Sequence, residues 1–319
     1  MSRTVVITGA SSGAGRAIAL AFAKKNDSLV LASRNLKELQ EVADECEMLG
    51  AKVTVVACDV TDPSAMINLA AAASEVSGAI DVWINNAGVL AVGAFDETPV
   101  EIIDQVIKTN LMGYIHGAHA VMPYFKKQGK GILINNISIG GFLPVPYGVG
   151  YSASKFGLRG FSAALKAELT GFPNIHVCDT FPAFLDTPGI QHAANYTGKQ
   201  LRPAPPVYDP TRVAMAIVKL ADHPRSETMI GSISILLRLS YGLFPWITRS
   251  IAGSVIKSYL KQADSIAKTD GNVFNEVPYG NAVHGGWGIP GKPKAHRKYI
   301  AGGMILSSLA VLLIIANKK

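Results

Sequence analysis

Residues 4–25 read TVVITGASSGAGRAIALAFAKK. Thr4 to Thr8 is a short apolar run rich in β-branched residues, the pattern of a buried strand. A glycine-rich turn follows, and over residues 16–25 the apolar Ile18, Ala19 and Phe22 recur at helical spacing. Strand, turn and helix thus come in that order, with Gly9, Gly13 and Gly15 at the junction. Glycines there let the backbone turn tightly and approach a pyrophosphate, whose charge is met by the N–H groups at the helix N-terminus. Gly9, Ser11, Ser12, Gly13 and Gly15 are therefore candidate cofactor-binding positions. A purely structural turn is the competing reading.

The same alternation runs outward from this unit. Strands are expected at 28–33, 52–58, 80–85, 131–137 and 175–181, and helices at 36–49, 63–77, 100–125, 151–170 and 210–221. The strands are short and almost wholly apolar, as a parallel sheet covered on both faces requires. Right-handed crossovers then give a Rossmann-type, doubly wound α/β sheet of six to seven strands with helices on both faces. Residues 1–231 are expected to form this NADP-binding catalytic domain. Residues 183–208 hold Pro188, Pro203, Pro205 and Pro206 with little periodicity, which suggests a long functional loop over the substrate.

Beyond the sheet three segments differ in composition. Residues 232–271 open on a stretch rich in Leu, Ile, Tyr, Trp and Phe, broken by Arg238 and Arg249, and are expected to be an amphipathic, helical, membrane-facing extension. Residues 272–299 read as a Gly/Pro-rich basic linker. Residues 300–316, IAGGMILSSLAVLLIIA, hold no charge and lie between basic flanks. At ~1.5 Å per residue they reach ~25 Å against a hydrocarbon core of ~30 Å, so they are a candidate transmembrane or anchoring helix. A buried core or dimer helix is the alternative.

Composition narrows the class. The chain has 319 residues, 49% hydrophobic and 17% charged, with 31 glycines, which fits one large α/β core plus an extension. Formal charge is +7, but Lys292, Lys294, Arg297, Lys298, Lys318 and Lys319 supply six of those units. The basicity belongs to the tail and suits anionic lipid headgroups better than nucleic acid, which is not expected as a partner. Cys46, Cys58 and Cys178 have neither disulfide nor zinc spacing, and the histidines show no ligand pattern, so no metal is expected. The first residues lack the layout of a signal peptide. Together these readings place the protein at a membrane, with its catalytic domain on the cytoplasmic side.

The candidate chemistry lies at strand ends. After the second expected strand, where an acid would bind the ribose of NAD, stand Ser33 and Arg34. A guanidinium there can pair with a 2′-phosphate, which favours NADP(H); a solvated loop cation is the plain alternative. Tyr151 and Lys155 are four apart on an expected helix and so share one face. Ser138 ends a strand thirteen residues before Tyr151, and Asn110 lies on the preceding long helix.

These motifs together resemble the short-chain dehydrogenase/reductase family in its compact TGxxxGxG/YxxxK branch, over residues 1 to about 230. The resemblance implies a catalytic tetrad of Asn110, Ser138, Tyr151 and Lys155. It implies cofactor contacts from Asp59-Val60 at the adenine, from Asn86-Ala87-Gly88 within an NNAG motif, and from Tyr151 and Lys155. The family's Pro-Gly after the sixth strand is here Pro182-Ala183, followed by Thr187 as a nicotinamide contact. The implied activity is NADPH-dependent interconversion of a carbonyl and an alcohol on a small molecule, and the helices at 100–125 and 151–170 are the family's usual homo-oligomer faces. The candidate anchor and the apolar stretch 232–260 point to a lipophilic substrate. A non-catalytic NADPH sensor or scaffold is the rival from another class. Phe142, Leu143, Pro144, Pro146 and Tyr147 either line the substrate pocket or pack their own loop.

Overall fold

The computed structural model describes residues 2–288. In chain order the elements are β1 (Thr4–Thr8), α1 (Gly13–Ala23), β2 (Ser28–Ser33), α2 (Leu36–Met48), β3 (Lys52–Ala57), α3 (Pro63–Ser77), β4 (Val82–Asn85), β5 (Ala91–Val92) and α4 (Val100–Ile107). There follow α5 (Gly113–Gln128), β6 (Gly131–Asn136), α6 (Val149–Glu168), β7 (Ile175–Pro182), β8 (Ala194–Asn195), α7 (Thr211–Asp222), β9 (Glu227–Ile230), α8 (Ser232–Leu243) and α9 (Pro245–Gln262). Seven parallel strands form one sheet in the order β3-β2-β1-β4-β6-β7-β9.

Two cores explain why the strands lack polar alternation. Val5, Ile7, Leu29 and Leu31 face α1, α2 and α7, where they meet Ile18, Phe22, Leu39 and Ile217. Val6, Val30 and Ala32 point the other way, onto Met66, Leu69, Val121 and Phe125 of α3 and α5. Successive side chains of a strand point to opposite faces, so a sheet buried on both sides is apolar at every position. Helix ends follow local chemistry. Asp62 accepts a hydrogen bond from Ser64 N at 2.8 Å ahead of Pro63, and Gly78 in the left-handed region stops α3.

Two features sharpen the sequence reading, the place of the seventh strand and the form of the helical extension, and two depart from it, the split of one helix and the order of the linker. The seventh strand, β9, is an edge strand of four residues paired only to β7, too short and polar to stand out as an apolar run. The single helix expected over 100–125 is two helices joined by a π-helical turn at Lys108–Met112, which carries Asn110. The expected extension is a hairpin of α8 and α9. The described part of the expected linker, 272–288, is laid against the sheet domain. Gly13 N donates to Ala282 O at 2.9 Å, Arg16 Nη1 to Asn281 O at 2.6 Å and Trp287 N to Asp186 Oδ1 at 2.7 Å. The charge-free run 300–316 lies outside the described residues. Among the described residues no helix is long and apolar enough to cross a membrane.

The order in which strands are added reverses between β1 and β4. A crevice opens there at the carboxyl ends of the strands, the place where open α/β sheets bind ligands.

Candidate active site

The carboxyl ends of four adjacent strands are tied by two rows of side chains. In the upper row Asn86 Nδ2 donates to Thr8 O, Asn136 Nδ2 to Asn86 Oδ1 and Thr180 Oγ1 to Asn136 Oδ1, at 2.8–3.1 Å. In the lower row Asn85 Nδ2 donates to Asn135 Oδ1 at 3.0 Å. Asn135 Nδ2 in turn reaches Ser162 Oγ at 2.9 Å, and Asp179 Oδ1 accepts from Ser162 at 2.7 Å. Every strand end is thereby fixed against its neighbour, and the loops that follow inherit that precision.

Above these rows lies one cavity of about 540 Å³. Gly9, Ser11, Ser12, Gly13 and Gly15, Ser33 and Arg34, Asp59 and Val60, Asn86 to Gly88, Ser138, Tyr151, Lys155, Pro182 and Thr187 all line it. Asn110 does not. It is wholly buried behind the Gly88–Val89 backbone, accepting from Val89 N and donating to Val89 O, each at 2.8 Å. The π-helical turn sets this orientation, since one extra residue in the turn rotates the side chain relative to a regular helix.

The glycine loop is a cradle that a side chain would fill. Gly9 has φ +64°, and a Cβ on it would stand 2.7 Å from Ala87 Cα; a Cβ on Gly15 would collide with Gly9 O. Thr187 packs against the loop, so a Cβ on Gly13 would meet its Cβ at 3.3 Å. Ala183, in place of the family's glycine, is accommodated: its N–H donates to Ile230 O at 2.9 Å and the residue lines the cavity.

Ser138 sits at φ +115°, a strained setting for a residue with a side chain, and such outliers concentrate at functional sites. Its Oγ accepts from Gly140 N at 3.1 Å and is hydrogen-bonded to Tyr151. Burial pushes the Tyr151 phenol up, and the bond with Ser138 draws it down. Lys155 Nζ lies 5.0 Å from the centroid of the Tyr114 ring and 5.7 Å from that of Tyr151. Desolvation pulls its ammonium down to about 7.

That shift makes a prediction for the protein stripped of cofactor. Unfolded, the amine keeps its proton to roughly pH 10.4. Between about 7 and 10 the unfolded chain therefore binds more protons, and Lys155 makes stability rise with pH across that window. The Tm of wild type should gain on that of Lys155→Met from pH 7 to pH 10, and a constant difference would contradict the assignment.

Several residues at or beneath the cavity carry no local sequence signal. Tyr114, under Lys155, donates to Asn136 O at 2.8 Å, and Gly140 lies so close to the Tyr151 ring that a Cβ would stand 2.8 Å from Cε1. Glu38 and Glu276 line the same cavity as Arg34. Desolvation first, then the charge of Glu276, pushes the Glu38 carboxyl up. Arg34 is braced by the strap formed by residues 272–288, donating to Asn272 O at 2.7 Å and Phe274 O at 3.0 Å. Of the apolar residues between Ser138 and Tyr151, Pro146 lines the cavity, whereas Phe142 is packed on Phe181 with ring centroids 4.6 Å apart.

Other chemistries have less support. The three cysteines are buried thiols, with Cys46 pushed up to about 12 and Cys58 and Cys178 to about 11 by desolvation, which leaves no thiolate nucleophile. Among the described residues no cluster of three or more His, Cys, Asp or Glu could hold a metal ion.

The family model described as short chain dehydrogenase matches residues 3–196. The chain belongs to the short-chain dehydrogenase family. An uncharacterized oxidoreductase, YxnA, of Bacillus subtilis is 33% identical over 251 residues, covering 77% of this chain and 70% of that protein. Among solved structures, an alcohol dehydrogenase from Thermococcus sibiricus, complexed with 5-hydroxy-NADP, aligns with a TM-score of 0.63 at 26% identity over 73% of this chain and 98% of that one. A metagenomic short-chain oxidoreductase in complex with NADP aligns with a TM-score of 0.61 at 27% identity over 72% and 97%. This short-chain dehydrogenase is thus an oxidoreductase of Rossmann type, and the family match stops near β8, short of the hairpin and the strap.

Proposed function

We propose that this protein is an NADP(H)-dependent oxidoreductase that interconverts a carbonyl and an alcohol on a lipophilic substrate, using Asn110, Ser138, Tyr151 and Lys155. The observation that carries the reading is the meeting of Ser138, Tyr151 and Lys155 in the same cavity as the glycine loop and Arg34. The two solved relatives carry NADP-type cofactors. The residues of this chain suit such a group: the glycine cradle would take the pyrophosphate, Asp59 and Val60 the adenine, Arg34 the 2′-phosphate, and Lys155 and Thr187 the nicotinamide ribose and amide.

When bound, NADPH supplies a hydride to the carbonyl carbon. Ser138 Oγ donates to the substrate oxygen and draws charge onto it. Tyr151 passes its phenolic proton to the alkoxide as that forms, a general acid held in its neutral form by burial. The phenolate left behind is stabilised by protonated Lys155, whose amine takes up a proton close to neutrality. Asn110 fixes the Val89 backbone beneath and anchors the path by which the proton is replaced. In the oxidation direction each transfer reverses.

Purified protein should bind NADPH more tightly than NADH and consume it against a panel of apolar ketones and aldehydes. Absence of binding to either cofactor would sink the reading. Arg34→Ala should weaken NADPH by roughly 10- to 150-fold, the worth of about 1.5–3 kcal/mol for a charge-assisted contact, while leaving NADH almost unchanged. Equal losses for both would remove Arg34 from the 2′-phosphate.

The same reading keeps the enzyme at the cytoplasmic face of a membrane through residues 300–316 and their basic flanks. Recovery of the full chain in an alkaline-washed membrane fraction is expected, and its release by the wash would overturn the anchor.

A further inference from the structure

We propose that the α8–α9 hairpin docks on an anionic lipid bilayer and that an apolar substrate enters the cavity along it. The docking stands on the hairpin alone; the route rests on the reductase reading of the cavity.

Helix α8 is apolar on two faces. Ser234, Leu237 and Tyr241 turn inward, where Leu237 joins the cluster of Tyr114, Phe142 and Phe181, and Tyr241 meets Phe156 edge-on at 6.4 Å. Ile235, Leu239 and Leu243, four apart, form a second stripe that is exposed. Helix α9 has eighteen residues and none is buried. Ile256, Tyr259 and Leu260 face the cavity, while Ile251 and Val255 are turned outward and exposed. At the bend between the helices Leu243, Phe244 and Trp246 stand out, with Leu243 69% and Trp246 62% exposed. Helices in water owe most of their stability to a covered apolar face, and a patch of this kind marks a binding surface.

Charge decides the occupant. From Thr228 to Ala263 the chain has no Asp or Glu. Arg238 is engaged with Glu227, but Arg249, Lys257 and Lys261 are exposed and have no carboxylate partner among the described residues. A second copy docked face to face would bring these cations against themselves, which an isologous contact disfavours. A bilayer with anionic headgroups accepts them, takes the aromatic bend at its interface and lets the lysine stems lie along the apolar surface. Because the inner face of α9 is a wall of the cavity, an apolar molecule leaving the bilayer would reach Tyr151 without crossing water.

The test uses the full chain with phosphatidylcholine vesicles, with and without phosphatidylserine, carrying bromine on their acyl chains. Bromine quenches nearby tryptophan, and residues 300–316 contain none, so the difference between wild type and Trp246→Phe reads the hairpin and not the tail. Quenching at Trp246 that strengthens with phosphatidylserine and weakens with salt is expected. Unquenched Trp246 overturns the docking, and does so in favour of a protein partner if Ile251→Glu/Val255→Glu also lowers the oligomeric state.

That double variant further tests the route. Its turnover of a ketone dissolved in the vesicles should fall several-fold while turnover of a water-soluble aldehyde stays at the wild-type rate. Equal effects on both substrates overturn the route. No turnover of either substrate by wild type overturns the reductase reading and the route with it, while the quenching still decides the docking.

Discussion

Tyr151→Phe should lose on the order of 10²- to 10⁴-fold in kcat, the usual worth of a positioned general acid, while still binding NADPH. The argument is geometric. The ring is fixed by Gly140 beneath it, where a Cβ would stand 2.8 Å from Cε1, and by the cluster of Val89, Ile102 and Val106 beside it. Phenylalanine keeps that packing, so the variant removes only the hydroxyl that Ser138 and the substrate oxygen share. Lys155 keeps its place against the Tyr114 ring, which preserves the ribose contact assigned to it. NADPH binding by fluorescence and single-turnover hydride transfer separate the two steps. Full activity in this variant would remove Tyr151 as the acid, whereas NADPH binding without hydride transfer in the wild type would favour the reading of a non-catalytic NADPH sensor.

The parts of the fold legible in the sequence are those set by local periodicity. The first strand and helix declare themselves because a double-faced sheet makes Val5, Val6 and Ile7 apolar in succession, and α1 begins at a turn only glycine can make. The candidate site was legible for a related reason: Ser138, Tyr151 and Lys155 each sit at a strand end or on one helical face, where short spacing fixes position.

What escaped reading depends on contacts between distant residues. No run of sequence marks the π-helical turn at Lys108–Met112; it goes together with the pairing of Asn110 to Val89, twenty-one residues away. The stretch 272–288 reads as a linker because glycine and proline dominate it, and those residues also allow a chain to lie flat on a surface. Its order comes from backbone groups, such as the Asn272 and Phe274 carbonyls on Arg34, which composition cannot express. Glu276 joins Arg34 and Glu38 at the cavity wall by that route.

Asp179→Ala should be the most damaging single change outside the cavity, lowering stability by roughly 3–5 kcal/mol. The carboxylate is 3% exposed and ends the lower row of the sheet. It accepts from Ser162 Oγ at 2.7 Å, Asn135 Nδ2 at 3.2 Å and Lys166 Nζ at 2.6 Å. Lys166 is partly exposed and can turn to water, but Ser162 and Asn135 are wholly buried and would be left with unsatisfied donors at about 1–3 kcal/mol each. For a domain of this size each kcal/mol moves Tm by roughly 2–4 °C, so a fall on the order of 10 °C is expected. Asp179→Asn keeps one acceptor oxygen for Ser162 and Asn135 but turns an NH2 donor toward the Lys166 ammonium, which can swing to water, so it should retain about half of the difference. Asp179 does not line the cavity, and the folded fraction of either variant should bind NADPH with wild-type affinity. A Tm within about 2 °C of wild type for Asp179→Ala would mean that the Asn85–Asn135 pair and the backbone ladder hold the strand ends without it, and that the site's precision has another source.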